Sequence, residues 1–509
     1  MTVESLLHNL ILGFSVALTP ENLIYCFAGV FPGTLIGVLP GIGSLATMAM
    51  LLPITFVLPP VAALIMLAGI YYGSDYRGSR TGYLVNLPGE GSSVVTLIEG
   101  HQMAQQGRAG PALAIAAIGS FFAGCVGTLL ITLVGPPLAS VALKFGSPEY
   151  LSLMLMALVC AAVVGTGSLL KSLAMVTVGL LIGIVGTDVN SGLARFTFGV
   201  VELTDGIGIA VDAMGVFGLT ETLKNLGGTH MTQTILRGRI KGLMPRWEDL
   251  KICFGPIVRG TSIGAIYGPL PGLGATVSSF TSYMVEKKLA KDPSRFGKGA
   301  IEGVAGPESA NNACAQTTFV PMLTLGVPGS ASMALMLGAM MIHGIIPGPQ
   351  VMTSRPDLFW GLIASMWIGN LMLLLLNLPL IGIWVKLLQV PYRLLFPIII
   401  TFMGIGIYSL SNSGVDVLLM VLFGFVGYIL VKLGCSFPPM ILAMVLGPLM
   451  EENLRRSLLL SDGDPAVFIT RPISCGFIVT TVVLLALFIV PAFRKRREAL
   501  EEPRAAPQQ

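Results

Sequence analysis

Residues 37–43 read GVLPGIG and residues 268–274 read GPLPGLG. The same G-x-L-P-G-x-G heptapeptide thus stands once in each half of a mostly apolar chain. Proline lacks a backbone donor and glycine weakens a helix, so each copy should interrupt the apolar helix that runs into it. In lipid such a break leaves backbone groups without partners, which is costly unless they line a cavity or hold a ligand. Whether the chain is a bundle of simple spans or a set of broken helices around a site turns on what surrounds these two stretches.

The 509 residues are 54% hydrophobic and only 11% charged, with a mean hydropathy of +0.82. Soluble globular proteins carry about 25% charged residues, so the composition belongs to a membrane. A span takes about 20 apolar residues, and the apolar runs predict an all-α polytopic membrane protein with about 10–14 spans or half-spans. The net charge of +4 is small, and nothing resembles a nucleic-acid-binding surface. The N-terminal MTVESLLHNLILGFSVALTP lacks a basic leader region and an A-x-A-like site, so it reads as a first helix rather than a cleaved signal. Seven cysteines, Cys26, Cys125, Cys160, Cys253, Cys314, Cys435 and Cys475, are scattered and never in C-x-x-C. They read as small core residues, not a disulfide or metal framework. His8, His101, His230 and His343 lack metal spacing, and there is no H-E-x-x-H, P-loop or G-x-S-x-G.

The longest charge-free run lies between Glu21 and Asp75 and holds the first heptapeptide. A polar patch, SDYRGSRTGYLVNLPGEGSSVVTLIEGHQ, follows, then apolar runs at Ala112–Val134, Tyr150–Val164 and Leu169–Val185. The charged stretch Lys224–Lys251 reads as a cytoplasmic linker, and beyond it the order recurs. The heptapeptides lie 231 residues apart (37 to 268). NLPGEGSS at Asn86–Ser93 matches LGVPGSAS at Leu325–Ser332, with Pro88 and Pro328 offset by 240. SPEYLSLMLMAL and VPYRLLFPIIIT form a weaker pair, offset by 243 at Pro148 and Pro391. Three blocks in one order at a nearly constant offset indicate an internal duplication. The expected organisation is a first transmembrane repeat over 1–223, a basic linker over 224–251, a second repeat over 252–492 and a basic cytoplasmic tail over 493–509.

Lys and Arg mark cytoplasmic loops. The apolar run Ile252–Val285 has Arg237, Arg239, Lys241, Arg246 and Lys251 before it, and Lys287, Lys288, Lys291, Arg295 and Lys298 after it. As one helix it would be about 50 Å long, against a hydrocarbon core of about 30 Å. Split at GPLPGLG, each arm is short for a span. A re-entrant hairpin with both feet in the cytoplasm fits better. The matching first-half hairpin has no basic feet, as expected if it enters from the other face. The N-terminal stretch has no Lys or Arg, whereas RKRR (Arg494–Arg497) follows a final apolar run near Cys475–Val490. RKRR reads as a positive-inside anchor. This predicts an outside N-terminus, an inside C-terminus and two inverted repeats.

Each half supplies two breaks, a G-x-L-P-G-x-G tip and an x-P-G-x-x-S tip. Broken helices that point their N-termini into a cavity offer free N–H groups and a positive dipole end, a ready anion site. Carbonyls released by the same unwinding, as at Pro40, Gly41, Pro271 and Gly272, can coordinate a sodium ion. Hydroxyls and amides line the tips: Ser44 and Thr47; Thr276, Ser278 and Ser279; Asn86, Ser92 and Ser93; Ser330 and Ser332. One such break alone reads as a packing kink, but four in two matched pairs favour a binding site. Polar patches lie beside the second tips, with Asp75, Arg77, Arg80, Glu90 and Glu99 in one half. The other half has Glu308, Ser309, Asn311, Asn312, Gln316 and Thr317. Ionisable residues at membrane depth are functional candidates; Arg77, Arg80 and Glu99 read equally well as loop residues at the surface. The Asn311 and Asn312 amides can both donate to a carboxylate and accept from a cation shell.

The heptapeptide pair, YYGSDYRGS, NLPGEGSS, GPESANNA and LTLGVPGSASMALMLGAMMIHGIIPGP together resemble the large membrane subunit of tripartite tricarboxylate transporters (the TctA family), from about Thr19 to Leu449. That resemblance implies a bacterial inner-membrane importer of carboxylates such as citrate, driven by an ion gradient, with sodium (or protons) as coupling ion and no resident cofactor. It implies two partners: a small four-helix membrane subunit (TctB-like), and a periplasmic solute-binding protein (TctC-like) that chooses the ligand. It points to Gly41, Ile42, Gly43 and Ser44, to Asn86, Pro88, Gly89, Ser92 and Ser93, and to Gly272, Gly274 and Thr276 as substrate positions. Asn311, Asn312, Pro328, Gly329, Ser330 and Ser332 complete that region. Pro40, Gly41, Pro271, Gly272, Asn311 and Thr317 are the ion candidates. An elevator-like motion is expected by analogy with other re-entrant-hairpin carriers. A passive anion channel through the same tips is the alternative; a membrane-embedded enzyme would need a catalytic cluster that the sequence does not offer.

Overall fold

The computed structural model describes residues 3–37, 43–76, 82–83, 91–164, 168–188, 191–227, 244–271, 274–380, 383 and 392–501. Helices α1 (Val3–Ala17) and α2 (Pro20–Gly37) meet at 76°. Pro20 lacks the donor needed to continue α1, and polar side chains close the break. Thr19 Oγ1 accepts from the Asn22 backbone N–H at 3.3 Å, and Asn22 Nδ2 donates to the Val16 carbonyl at 2.8 Å. Next come α3 (Ser44–Thr55) and α4 (Pro60–Asp75), the latter opening on a proline, where a missing N–H has no helical acceptor to lose. Then follow α5 (Ser93–Gln105), the 34-residue α6 (Ala109–Ala142), α7 (Ser147–Val164) and α8 (Leu169–Gly183). A two-stranded antiparallel ribbon pairs β1 (Gly186–Thr187) with β2 (Ala194–Arg195), Gly186 opposite Arg195. Helix α9 (Ile209–Ala213) widens into a π-helical turn at Met214–Leu219 and continues as α10 (Thr220–Gly227).

The second half holds α11 (Trp247–Tyr267), α12 (Gly274–Leu289), α13 (Glu302–Thr317), α14 (Phe319–Leu325) and α15 (Ala331–Ile342). After α16 (Val351–Ser354) come α17 (Pro356–Asn377), α18 (Tyr392–Ser411) and α19 (Gly414–Lys432). The chain closes with α20 (Pro438–Leu460), α21 (Val467–Thr470) and α22 (Pro472–Glu501). Among the described residues α6, α17 and α19 are each long and apolar enough to cross a membrane, and α1 with α2 passes as one broken span. Shorter apolar helices, including α3, α7, α8 and α15, have half-span length. The chain is an all-α polytopic membrane protein.

Two compact units each draw on both halves of the sequence: Met1–Lys144 with Val185–Leu433, and Phe145–Ile184 with Gly434–Gln509. In the second unit Gly179 and Gly183 of α8 lie on the Met440 and Met444 carbonyls of α20. Arg471 pairs with the buried Glu149 at 3.0 Å, and the Ser152 and Ser474 hydroxyls meet at 2.7 Å.

The first unit is built on glycine contacts that recur. Gly29 and Gly33 of α2 lie on the Met66 and Ile70 carbonyls of α4, so that a Cβ at either position would overlap the oxygen. Gly260 and Gly264 of α11 lie in the same way on the Gly306 and Ala310 carbonyls of α13. The glycines are 231 residues apart (29 to 260, 33 to 264) and the carbonyls 240 apart (66 to 306, 70 to 310). Those are the offsets of the heptapeptides and of Pro88 and Pro328. The step from 231 to 240 falls where the four-residue connection 56–59 is answered by the longer 290–301, which contains a 3-10 turn at Pro293–Arg295. Small residues four apart let two helices approach until backbone meets backbone. The arm leading into each heptapeptide is therefore clamped to the helix after next.

Candidate functional site

The LGVPGSAS stretch is a true break. Helix α14 ends on Gly326 at φ +69, a left-handed cap where the Pro347 carbonyl leaves no room for a Cβ. The chain then runs through Pro328 and Gly329 to Ser330, whose hydroxyl accepts from the Met333 backbone at 3.3 Å and caps α15. Ser332 is buried in the first turn. The GPLPGLG stretch separates α11 from α12, with Gly268 and Pro271 between them and Gly274 entering α12 at φ +60.

These breaks meet. A Cβ on Gly329 would stand 3.4 Å from the Gly268 carbonyl and 3.1 Å from the Thr318 methyl. A Cβ on Gly91, two residues before the start of α5, would stand 2.9 Å from Thr276 Oγ1 in the first turn of α12. The second heptapeptide thus touches the Pro-Gly break of its own half, and the helix turn that follows it touches that of the other half. Helix α3, which follows the first heptapeptide, packs against α15 and begins on an extended Gly43, whose carbonyl accepts from Thr47 Oγ1 at 3.0 Å. Ser44 opens that helix, and Ser92 and Ser93 are buried at the start of α5. Pro40, Gly41, Ile42, Asn86, Pro88, Gly89 and Gly272 lie outside the described residues, as do Arg77, Arg80 and Glu90.

Helix α13 runs behind these tips with a buried polar face. Asn312 Nδ2 donates to Ser120 Oγ of α6 at 2.7 Å, and Ser120 Oγ donates to Glu308 Oε1 at 3.3 Å. The amide oxygens of Asn311 and Gln316 are buried and have no hydrogen-bond donor among the described residues. An unmet buried acceptor costs about 1–3 kcal/mol, and its presence marks a place for a ligand or an ordered water. Thr317 Oγ1 donates to the Ala313 carbonyl at 2.9 Å, and a Cβ on Gly268 would overlap that hydroxyl. Ser278 and Ser279, read from the sequence as tip hydroxyls, donate instead to the Ala310 and Pro307 carbonyls of α13, each at 3.2 Å. Near the C-terminal end of α4, Tyr71 and Tyr72 pack with tilted rings against Phe319, centroids 5.9 and 5.7 Å away, and Asp75 is buried.

Two buried carboxylates hold the frame of this site. Glu99 of α5, fully buried, accepts from Tyr283 Oη of α12 at 2.7 Å, from the backbone of Gly297, and from Gly299 and Ala300 at 2.8 Å each. It ties α5 to α12 and to the turn before α13, and its lone pairs are occupied by the protein itself. In that exposed turn the Asp292 carboxyl is held below the usual carboxylate range, chiefly by the Ser294 hydroxyl and backbone N–H that it accepts. Arg259 of α11 and Glu286 of α12 form a two-point ion pair across the hairpin, with Nε to Oε1 at 2.9 Å. Glu286 is buried and the Arg259 side chain is 42% exposed. Losing the arginine strands a buried charge, whereas losing both partners does not. Arg259→Met is therefore expected to lower the unfolding temperature in detergent more than Arg259→Met combined with Glu286→Gln. Equal losses would mean that the pair is unimportant to the hairpin.

Arg259 and Glu286 drew no attention in the sequence, although a lone arginine inside an apolar run of hairpin length was the available signal. The family model described as "Tripartite tricarboxylate transporter TctA family" matches residues 23–442. The chain belongs to that family, one of membrane transporters. An uncharacterized 52.8 kDa protein in the TAR-I ttuC' 3' region of Agrobacterium vitis is 54% identical over 493 residues, which is 97% of this chain and 98% of that one. An uncharacterized protein in the TAR-II ttuC' 3' region of the same organism is 54% identical over 235 residues, covering 46% of this chain and 97% of its own length. No solved structure matches the chain.

Proposed function

We propose that the chain is the translocating subunit of an ion-gradient-driven importer of di- and tricarboxylates of the citrate type. It would sit in the bacterial inner membrane with its N-terminus periplasmic and its C-terminus cytoplasmic, its halves arranged as inverted repeats. A small membrane subunit and a periplasmic solute-binding protein would complete the system. One observation carries the reading: Gly91 and Thr276 bring the N-terminal ends of α5 and α12 side by side. Each such end bears about half a positive charge. Two of them repel at close range unless an anion lies between, and a carboxylate fits that role without a buried lysine or arginine.

In this reading the free N–H groups of the two helix ends and the Thr276 hydroxyl hold one carboxylate. The Asn311 amide, which has no protein donor on its oxygen, serves a second carboxylate or the coupling ion. The Gly268 and Pro271 carbonyls, at the negative end of α11, face the cation. The recurring clamps (α2 on α4, α11 on α13) make each hairpin a rigid body that could move with its tip, as an elevator-like cycle requires.

Asn311→Ala is the cleanest test, because the buried amide oxygen has no donor among the described residues and its loss should leave the fold intact. Apparent affinity for the transported carboxylate is expected to fall about tenfold, the worth of one good hydrogen bond, with thermal stability unchanged. An unchanged half-saturation concentration would remove Asn311 from the site.

A further inference from the structure

The segment after the β ribbon carries a carboxylate that the site above does not use. Asp212 of α9 is fully buried, and neither of its carboxylate oxygens has a hydrogen-bond donor among the described residues. Helix α9 packs against α3, α15 and α19, and the contacts nearby are apolar or backbone. Ile209 fills the space over Gly338, Gly215 lies on the Met420 carbonyl and Phe423, and Gly218 lies against Met403 and Met50. The Thr220 hydroxyl is engaged by the Gly215 and Gly424 carbonyls at 3.2 and 3.1 Å. Helix α3 and the π-helical turn bring no titratable group, and α15 brings only His343, just past its last residue. Helix α19 brings Asp416 in its first turn, and Tyr428 with Lys432 over its ring near its last.

A bare carboxylate in such surroundings is costly enough that it takes up a counter-charge. A metal cation would need a shell of several oxygen ligands, and no group of three or more His, Cys, Asp or Glu that could hold one is found among the described residues. A proton needs only the carboxylate. Directly after Asp212 the helix widens into the π-helical turn Met214–Leu219, a rare geometry that often marks functional positions. Such a turn differs by one hydrogen-bond register from the α-helix on either side, so a small change of charge beside it can favour one register over the other.

We infer that Asp212 is a proton-binding site and that the descent of its proton, alongside that of the cation at the tip carbonyls, drives carboxylate uptake. The coupling rests on the transport reading; the proton site rests on the surroundings of Asp212 alone. The step is a proton transfer: a hydronium ion reaching the carboxylate gives up its proton, an O–H bond forms on the carboxyl, and water is released. The reverse step returns the proton to water on the other side. No other bond forms or breaks.

Two readouts separate these parts. Infrared spectra of the full-length protein in lipid vesicles should show a protonated-carboxyl C=O stretch that shifts in heavy water and fades as pH rises. The band should be missing in Asp212→Asn and kept in Asp212→Glu. An unchanged band in Asp212→Asn would overturn the proton site, whether or not transport is seen. For coupling, vesicles carrying the chain with its co-purified small subunit are given an inside-alkaline pH gradient and citrate. Wild-type uptake should rise at least tenfold with the gradient, and Asp212→Asn should lose that rise while still exchanging citrate across the membrane. Gradient-driven uptake that survives in Asp212→Asn would overturn the coupling, as would wild-type uptake that answers to sodium alone. If the wild type moves no carboxylate under any gradient, the transport reading fails while the infrared result stands.

Discussion

Gly264→Leu is expected to leave little folded protein. A Cβ at Gly264 already overlaps the Ala310 carbonyl and stands 2.8 Å from the Ala313 side chain, so leucine must push α11 away from α13. Overfilling an apolar core costs about 1–3 kcal/mol because side chains can repack. A backbone carbonyl cannot turn aside without breaking its own helix, so the cost here should exceed that range. The displaced helix carries Gly268, against which Gly329 and Thr317 are packed, and the displacement would open the meeting of the breaks. Gly404→Leu is the control, since nothing lies within 4 Å of a Cβ there. Size-exclusion profiles and unfolding temperatures in detergent should show Gly264→Leu aggregated or strongly destabilised and Gly404→Leu like the wild type. A monodisperse Gly264→Leu with wild-type stability would contradict the glycine clamp.

The second large effect is expected for Glu99→Ala. Four donors converge on this carboxylate, and truncation leaves them facing a cavity too confined to rehydrate freely. A hydrogen bond to a charged group is worth about 1.5–3 kcal/mol, and the contributions are not additive. A loss of about 3–5 kcal/mol is a fair expectation for a buried charge removed from its partners. Glu99→Gln should recover only part of this, because its amide turns N–H groups toward N–H groups. The local consequence is specific. The turn at Gly297–Ala300 loses its anchor, and exposed Lys298, whose carbonyl is also held by Gln106 at 2.8 Å, is freed to open into the extended conformation a protease needs. Trypsin should cut after Lys298 many times faster in Glu99→Ala than in the wild type, and equal rates would remove Glu99 from the role of tie. Carboxylate uptake should fall as well, since Glu99 holds α5 beside the α12 residues that include Thr276.

Proline and glycine wrote the breaks plainly into the sequence. At GPLPGLG and LGVPGSAS the helices stop where those residues forbid an interior turn, and both stretches come together in space. The hydroxyls were harder to assign. Ser278, Ser279 and Ser330 stood beside tips in the sequence, yet two of them donate to α13 carbonyls and one caps α15, because side-chain direction depends on which helix packs alongside. Glu99 had the same ambiguity, as a carboxylate in a polar patch looks alike whether it faces solvent or four buried donors. The spacing Gly29–Gly33 and Gly260–Gly264 was visible, but its purpose needed the facing carbonyls of Met66, Ile70, Gly306 and Ala310. Asp212 was a single charge in an apolar stretch, and only its burial without donors separates it from an ordinary surface aspartate.

Under the proposed function the meeting breaks hold a carboxylate that is carried, not merely let through. Citrate accumulation is to be measured in vesicles containing the chain and the proposed small membrane subunit, supplied with the proposed solute-binding protein. Uptake is expected to saturate, to climb above the external concentration only while an ion gradient is imposed, and to collapse when the gradient is removed. Entry that stops at equal concentrations on the two sides, with or without a gradient, would show a passive pore and contradict the proposed function.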